Sequence, residues 1–298
     1  MTRTTTEDDR MPETTALDEL LRYAAERRLL RDRLTDEDRL DTDTLVDVVR
    51  HGPALEALYG RPLDRRELED SLGVSRATSH RTTRWLTERG LAVRRDGRFS
   101  LTGKGEVFAD ELLRLGRNLR AAERLAPLLD CICETHREFV VGPFADATVT
   151  EATPDDPYGP VSRFLELLDA SATFRGFNTT HVVPPGSPAF AEGVFEEGDA
   201  EFVTVPTVAD HVLSGETATA VERGHLRLRT RGALPYGLAI FDDHVGVGGY
   251  DDETGALRVF VDTDGGDARR WAERVYEMYR EASDPVTPGH DDDGEATR

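Results

Sequence analysis

Eleven basic residues stand between Arg61 and Lys104 against six acidic ones, a net charge of +5 inside a chain whose total is −21. Everything outside that stretch therefore carries −26. Guanidinium groups gathered in this way make an electrostatic footprint for phosphate. Within the stretch, Arg76, His80, Arg81 and Arg84 fall on the outward side of a helix whose Trp85 and Leu86 turn to a core. An arginine on such a helix can grip guanine O6 and N7 in a major groove with two hydrogen bonds. Ser75 or Thr78, at the helix start, can hold a phosphate. Arg94, Arg95 and Arg98 lie on a hairpin that would reach the flanking backbone or minor groove. The opposing reading is a protein-contact module whose arginines are only a solvated surface.

The elements that must position these residues follow from local signals. A helix from about Leu45 should end near Tyr59-Gly60, because Pro62 prevents continuation. A second starts behind Asp64, with Glu67 three residues on completing a capping box, and stops at Leu72-Gly73. Ser75 caps a third, running to Arg89-Gly90. Leu91-Ala-Val93 and Arg98-Phe-Ser-Leu101 flank the turn Arg94-Arg-Asp-Gly97, a hairpin pattern. These make one DNA-binding unit, residues 44–104. A connecting helix over 105–133 follows, in which Phe108, Leu112, Leu115, Leu119, Ala122, Ala126 and Leu129 alternate at spacings of four and three. Pro127 ends or kinks it near Ala126. That stripe, above all Phe108 to Ala122, suits a homodimer helix or a face packed within its own subunit.

From 134 to 283 strand-like and helix-like segments alternate, as in a sheet covered by helices. Strands are expected near Thr148–Glu151, Thr173–Phe177, Glu201–Val205, His225–Thr230, Tyr236–Phe241, His244–Tyr250 and Ala256–Val261. Helices are expected near Val161–Ala170, Pro188–Glu197, Val208–Leu213 and Asp267–Ala282. The fold class is thus a two-domain α+β and α/β chain. Ligands favour the carboxyl ends of strands in open sheets, so Asn178, Thr179, His181 and Thr207, with Arg231 and Tyr236, are candidates for a small-molecule effector pocket. Their alternative is ordinary polar loop chemistry.

Other chemistry is poorly supplied. Gly246-x-Gly248-Gly249 lacks dinucleotide-loop spacing, and Asp242-Asp243-His244 reads as a turn. Cys131-x-Cys133-x-x-His136 offers three soft ligands where structural metal sites usually have four, so a redox or metal switch competes there with incidental thiols. No cofactor, metal or catalytic set is expected. An enzyme acting on a small polar or phosphorylated ligand remains the rival for the second domain.

Composition sets the surroundings. Of the basic residues Lys104 alone is lysine, and with so many acidic side chains this points to a protein built for high salt. Two cysteines supply no disulfide framework, and no apolar run is long enough to span a membrane. The polar, acidic start is unlike a signal peptide. A cytoplasmic location and no membrane partner are expected. Residues 1–43 read as a polar start, a helix at Thr15–Leu34 and an acidic linker, and 284–298 as an acidic tail. Arg22, Arg27, Arg28, Arg31 and Arg33 on the leading helix are either an added DNA arm or a solvated face.

The motifs Gly73-Val-Ser-Arg-Ala-Thr78, His80-Arg81, Trp85-Leu86, Glu88-Arg-Gly-Leu91 and Phe99-Ser-Leu-Thr-Gly103 resemble winged helix-turn-helix transcription regulators of halophilic archaea. Leu234-Pro-Tyr-Gly-Leu-Ala-Ile-Phe-Asp-Asp243, Gly246-Val-Gly248, Val261-Asp-Thr263 and Trp271-Ala are similar to the ligand-sensing domain named after a methanogenesis regulator. The strand order and final helix also look similar to phospholipase-D-like sensor domains. That enzyme class needs a His-x-Lys pair, for which His225-Leu-Arg227 is a poor substitute. The resemblance implies a dimeric regulator that binds specific double-stranded DNA, and names no ligand. Ser79, Thr82 and Thr83 depart from it, standing where such helices are usually apolar.

Overall fold

A computed structural model describes residues 41–132, 139–179, 199–214, 218–251 and 253–286. The leading helix expected at Thr15–Leu34, the helix expected at Pro188–Glu197 and the residues His181, Cys133 and His136 lie outside the described residues. The chain divides into two compact units, and the division falls between Arg120 and Ala121, inside the long helix expected to connect two domains.

The first unit opens where Asp41 accepts the Thr44 amide at 3.0 Å and starts α1, Thr42–Arg50. The single helix expected from Leu45 is two, because α2 begins afresh at Gly52–Leu58 with a proline in its first turn. A proline there costs no helical hydrogen bond, but it cannot donate back into the preceding turn. The capping box of α3, Arg65–Leu72, is present, and Gly73 closes the helix at φ +61°. Helix α4 spans Arg76–Glu88. Strands β1, Ala92–Arg95, and β2, Arg98–Leu101, form the wing. The turn between them is shorter than expected: only Asp96 and Gly97 lie in it, at φ 50° and 82°, the left-handed pair that a tight hairpin requires. Helix α5, Gly103–Arg124, follows. Leu55, Leu58, Leu68, Leu86, Leu91 and Phe99 make the core that joins α2, α3, α4 and the wing.

In the second unit, α6 covers Ala126–Ile132, a restart at the proline as expected. The strands are β3 Thr148–Glu151, β4 Thr173–Asn178, β5 Asp199–Thr204, β6 Leu226–Thr230, β7 Gly237–Ile240, β8 Val245–Tyr250, β9 Leu257–Thr263 and β10 Asp284–Pro285. They form one mixed sheet in the order β10-β6-β5-β4-β7-β8-β9-β3. Strands β4, β5 and β6 run parallel, and the other pairings are antiparallel. Strand β10 lies in the expected acidic tail, and the short helix α9, Ala218–Glu222, lies where no regular element is expected from the sequence.

The sheet's two faces bury different helices. Helix α10, Gly266–Glu281, lays Trp271, Val275, Tyr276 and Tyr279 with α6 over Phe177, Val203, Leu238, Val247 and Val261. Opposite, α7, Gly159–Asp169, and α8, Pro206–Ser214, cover Phe174, Ala200, Leu228, Ala239 and Phe260. Alternation along each strand assigns neighbours to opposite faces: Val259 and Val261 go to the first core and Phe260 to the second. Gly246 is small for this reason, since a Cβ there would meet the Phe260 ring at 2.1 Å.

Candidate nucleic-acid interface

Side chains at i, i+4 and i+7 hold α4 in the first unit: Ser79, Thr83 and Leu86 are all buried. The two polar ones are tolerated because they are small, and the Thr83 hydroxyl donates to its own helix at the carbonyls of Ser79, 2.9 Å, and His80, 3.2 Å. The helix therefore keeps the register read from Trp85 and Leu86 despite its polar inner face. Trp85 stacks on His51 with ring centroids 4.0 Å apart and 2° between planes. The guanidinium of Arg89 lies 4.7 Å from the same ring's centre.

With that face buried, Arg76, His80, Arg81 and Arg84 are all exposed. Arg84 donates to Glu88 one turn later at 2.7 Å. Both side chains are in solvent, where such a pair is worth little and can be exchanged for another anion. Ser75 is the N-cap: its hydroxyl accepts the Thr78 amide at 3.3 Å and lies 3.1 Å from the Thr78 hydroxyl. Both are thus engaged with the helix start as well as being candidate phosphate contacts.

On the wing the three arginines differ. Arg95 is exposed, and Arg94 lies 5.5 Å over the Phe99 ring. Arg98 turns back, donating to the Pro62 carbonyl at 2.9 Å and to Glu67 at 2.7 Å. Glu67 also accepts the Asp64 amide at 2.7 Å; that backbone bond, then Arg98, holds its carboxyl below the usual range. Leu63 and Phe99 exchange backbone hydrogen bonds at 3.0 and 2.7 Å. Arg98 therefore fastens the wing to the start of α3, a role its sequence position did not disclose.

The stripe expected for dimerisation is divided. Phe108 and Leu112 are half-buried against the first unit's core. Leu129 packs into the second unit's core, and Ala122 is half-buried. Between these, Leu115 and Leu119 stand exposed at 44% and 57%.

The effector candidates fall on two faces of the sheet. Asn178 accepts the Thr204 hydroxyl at 3.1 Å, one position along from Phe177 and hence on the other side. Arg231 lies 4.4 Å over the Tyr279 ring, and buried Tyr236 contacts Phe177 on the α10 side. Thr179 is half-buried in the bend after β4, and Thr207 is exposed in the first turn of α8. Cys131 is half-buried against Gly249. Among the described residues no cluster of three His, Cys, Asp or Glu could hold a metal, and no helix is long and apolar enough to cross a membrane.

Among solved structures, TrmBL2, an archaeal chromatin protein with a novel mode of DNA binding, is 15% identical, with 90% of this chain and all of that chain covered and a TM-score of 0.39. A phospholipase D family member, Nuc from Salmonella typhimurium, is 15% identical over 47% of this chain and 97% of its own, with a TM-score of 0.34. An O-methyltransferase of neocarzinostatin biosynthesis, NcsB1, is 16% identical over 64% and 67%, with a TM-score of 0.23. Comparison with curated proteins finds no match. Family models divide the chain much as its fold does: residues 39–124 match the HVO_A0261 N-terminal domain, and residues 157–282 match the middle domain of methanogenesis regulatory protein FilR1.

Proposed function

We propose that this protein is a dimeric, sequence-specific DNA-binding transcription regulator of a halophilic archaeon, with a second domain that answers to a small effector. One observation carries the reading. In a chain of net charge −21, the exposed side chains of α4 include Arg76, His80, Arg81 and Arg84 against one exposed carboxylate, Glu88, and Arg94 and Arg95 stand on the adjoining wing. A helix presented in this way suits a major groove, N-terminal end first, with the wing on the neighbouring backbone. The similarity over 157–282 to a domain of a regulatory protein supports the same reading.

High salt constrains how such a surface works. At about 1 M ionic strength the screening length falls to about 3 Å, and counterion release contributes less to affinity. Base-edge hydrogen bonds from Arg81 and Arg84 then take a larger share. Two copies joined through Leu115, Leu119 and Ala122 would present two recognition helices to two half-sites, and an effector in the second domain would change their spacing.

Selection of bound sequences from a random duplex library by the full chain, in high potassium chloride, tests the reading. Enrichment of one motif by the wild type, lost in an Arg81→Ala, Arg84→Ala variant with unchanged circular dichroism, is expected. Enrichment that survives in the variant, or none in the wild type, would refute it.

A further inference from the structure

Beside the recognition helix, wholly within the first unit, lies a cleft of about 290 Å³ lined by Thr44, Val48, Arg89, Leu91, Lys104 and Phe108. We propose that it is a binding site for a small carboxylate with an apolar body. This goes beyond the DNA-binding reading and is tested without DNA.

Its floor is apolar: Val48 and Leu91 are 5% and 1% exposed, and Phe108 is half-buried beside them. Two cations stand on the lining. Lys104 holds itself there by donating to the Arg89 carbonyl at 3.1 Å and lying 5.6 Å over the Phe108 ring. Among the described residues it has no ion pair within 4.0 Å, and two of its three N–H groups are left for a ligand. Among the described residues the one carboxylate within 4.0 Å of the Arg89 guanidinium is Asp47, at 3.7 Å, and Asp47 is shared with Arg50 at 3.8 Å. Both separations exceed hydrogen-bonding range. Asp41, on the same helix, is already occupied by the Thr44 amide and hydroxyl. Of the two lining cations, Lys104 thus has no carboxylate within 4.0 Å among the described residues and Arg89 has one distant carboxylate shared with Arg50, and an incoming carboxylate supplies the charge they lack.

The size suits a single ring, since small-molecule pockets begin at about 300 Å³. Arg89 is the C-cap of α4, and Lys104 is the second residue of α5. A ligand held by both would tie the end of the recognition helix to the start of the long helix.

Lys104 is the chain's sole lysine, so protein labelled with ¹³Cε-lysine gives one side-chain signal that reports this cleft. Full-length protein is titrated with benzoate, with its neutral isostere benzamide, and with inorganic phosphate. The expected result is a saturable shift of the Lys104 signal by benzoate, with affinity about tenfold or more above benzamide and above phosphate. Val48→Phe, which fills the cleft, should abolish it, and Arg89→Gln, a change at an exposed side chain, should weaken it about tenfold. Equal binding of benzamide would overturn recognition by charge. Equal binding of phosphate would reduce the site to one for inorganic anions and overturn the apolar part. No saturable shift, or benzoate affinity unchanged in Arg89→Gln, would overturn the proposal whole.

Discussion

The Arg163 guanidinium holds the Asp262 carboxylate through two parallel hydrogen bonds, Nε to Oδ1 at 3.0 Å and Nη2 to Oδ2 at 2.9 Å. Asp262 is 1% exposed at the end of β9, and Arg163 reaches it from α7. The pair holds the guanidinium well above its usual range, with the Asp262 bond the largest cause. Removing one partner leaves a buried charge unpaired. Arg163→Met should therefore cost about 3 kcal/mol in urea unfolding, and pairing it with Asp262→Leu should recover most of the loss. A single variant as stable as the wild type would mean that water reaches Asp262.

Asp242, in the turn after β7, accepts the Ala172 amide at 2.8 Å, the Thr173 amide at 3.1 Å and the Thr173 hydroxyl. The Thr173 hydroxyl, then the Ala172 amide, draws its carboxyl below the usual range. A depressed folded-state pKa favours folding above the unfolded carboxylate value, and the gain disappears as pH falls through the folded value. Asp242→Asn should lower Tm at neutral pH and flatten the decline of Tm below about pH 4. Parallel acid limbs in the two proteins would show that Asp242 contributes nothing to the slope.

His51 joins the end of α1 to Trp85 of α4, with its Nδ1 2.7 Å from the Asp47 carbonyl. His51→Ala should cost about 1 kcal/mol, the usual worth of an aromatic pair. It should also change Trp85 fluorescence while the Trp271 emission stays as it was. An unaltered spectrum would mean that the stack does not persist in solution.

Leu115 and Leu119 are exposed on α5, so charging them should leave each subunit folded. Light scattering of a Leu115→Glu, Leu119→Glu variant is expected to give half the wild-type mass with the same helical content. Persistence of the wild-type mass would remove this stripe from the proposed dimer.

Short-range signals made much of the first unit legible. Asp64 with Glu67, Gly73 and Ser75 fix helix ends through bonds spanning four residues or fewer, and each end lies where those residues put it. The split at His51 was not legible, since a proline in a first turn is compatible with either one helix or two. Arg98 reads as one more outward arginine until Pro62 and Glu67, more than thirty residues earlier in the chain, are brought beside it. The same limit applies to the effector candidates. Periodicity finds β4, β6 and β7, but only the strand pairing reveals that Asn178 and Arg231 lie on opposite sides of the sheet. The heptad stripe is apolar along its length, yet its ends are consumed by two separate cores, which spacing alone cannot distinguish from a continuous seam.

The borders of the eight-stranded sheet bear on how copies of this protein can stick together. One border is β10, two residues long and containing Pro285, which has no N–H to offer; the other is β3, four residues long and followed by Pro154. Neither presents the long open ladder that recruits a foreign strand. Concentrated folded protein should then resist seeding by strand addition at these borders. Among the described residues, then, this sheet ends in backbone too short or too interrupted by proline to serve as a template for a second copy.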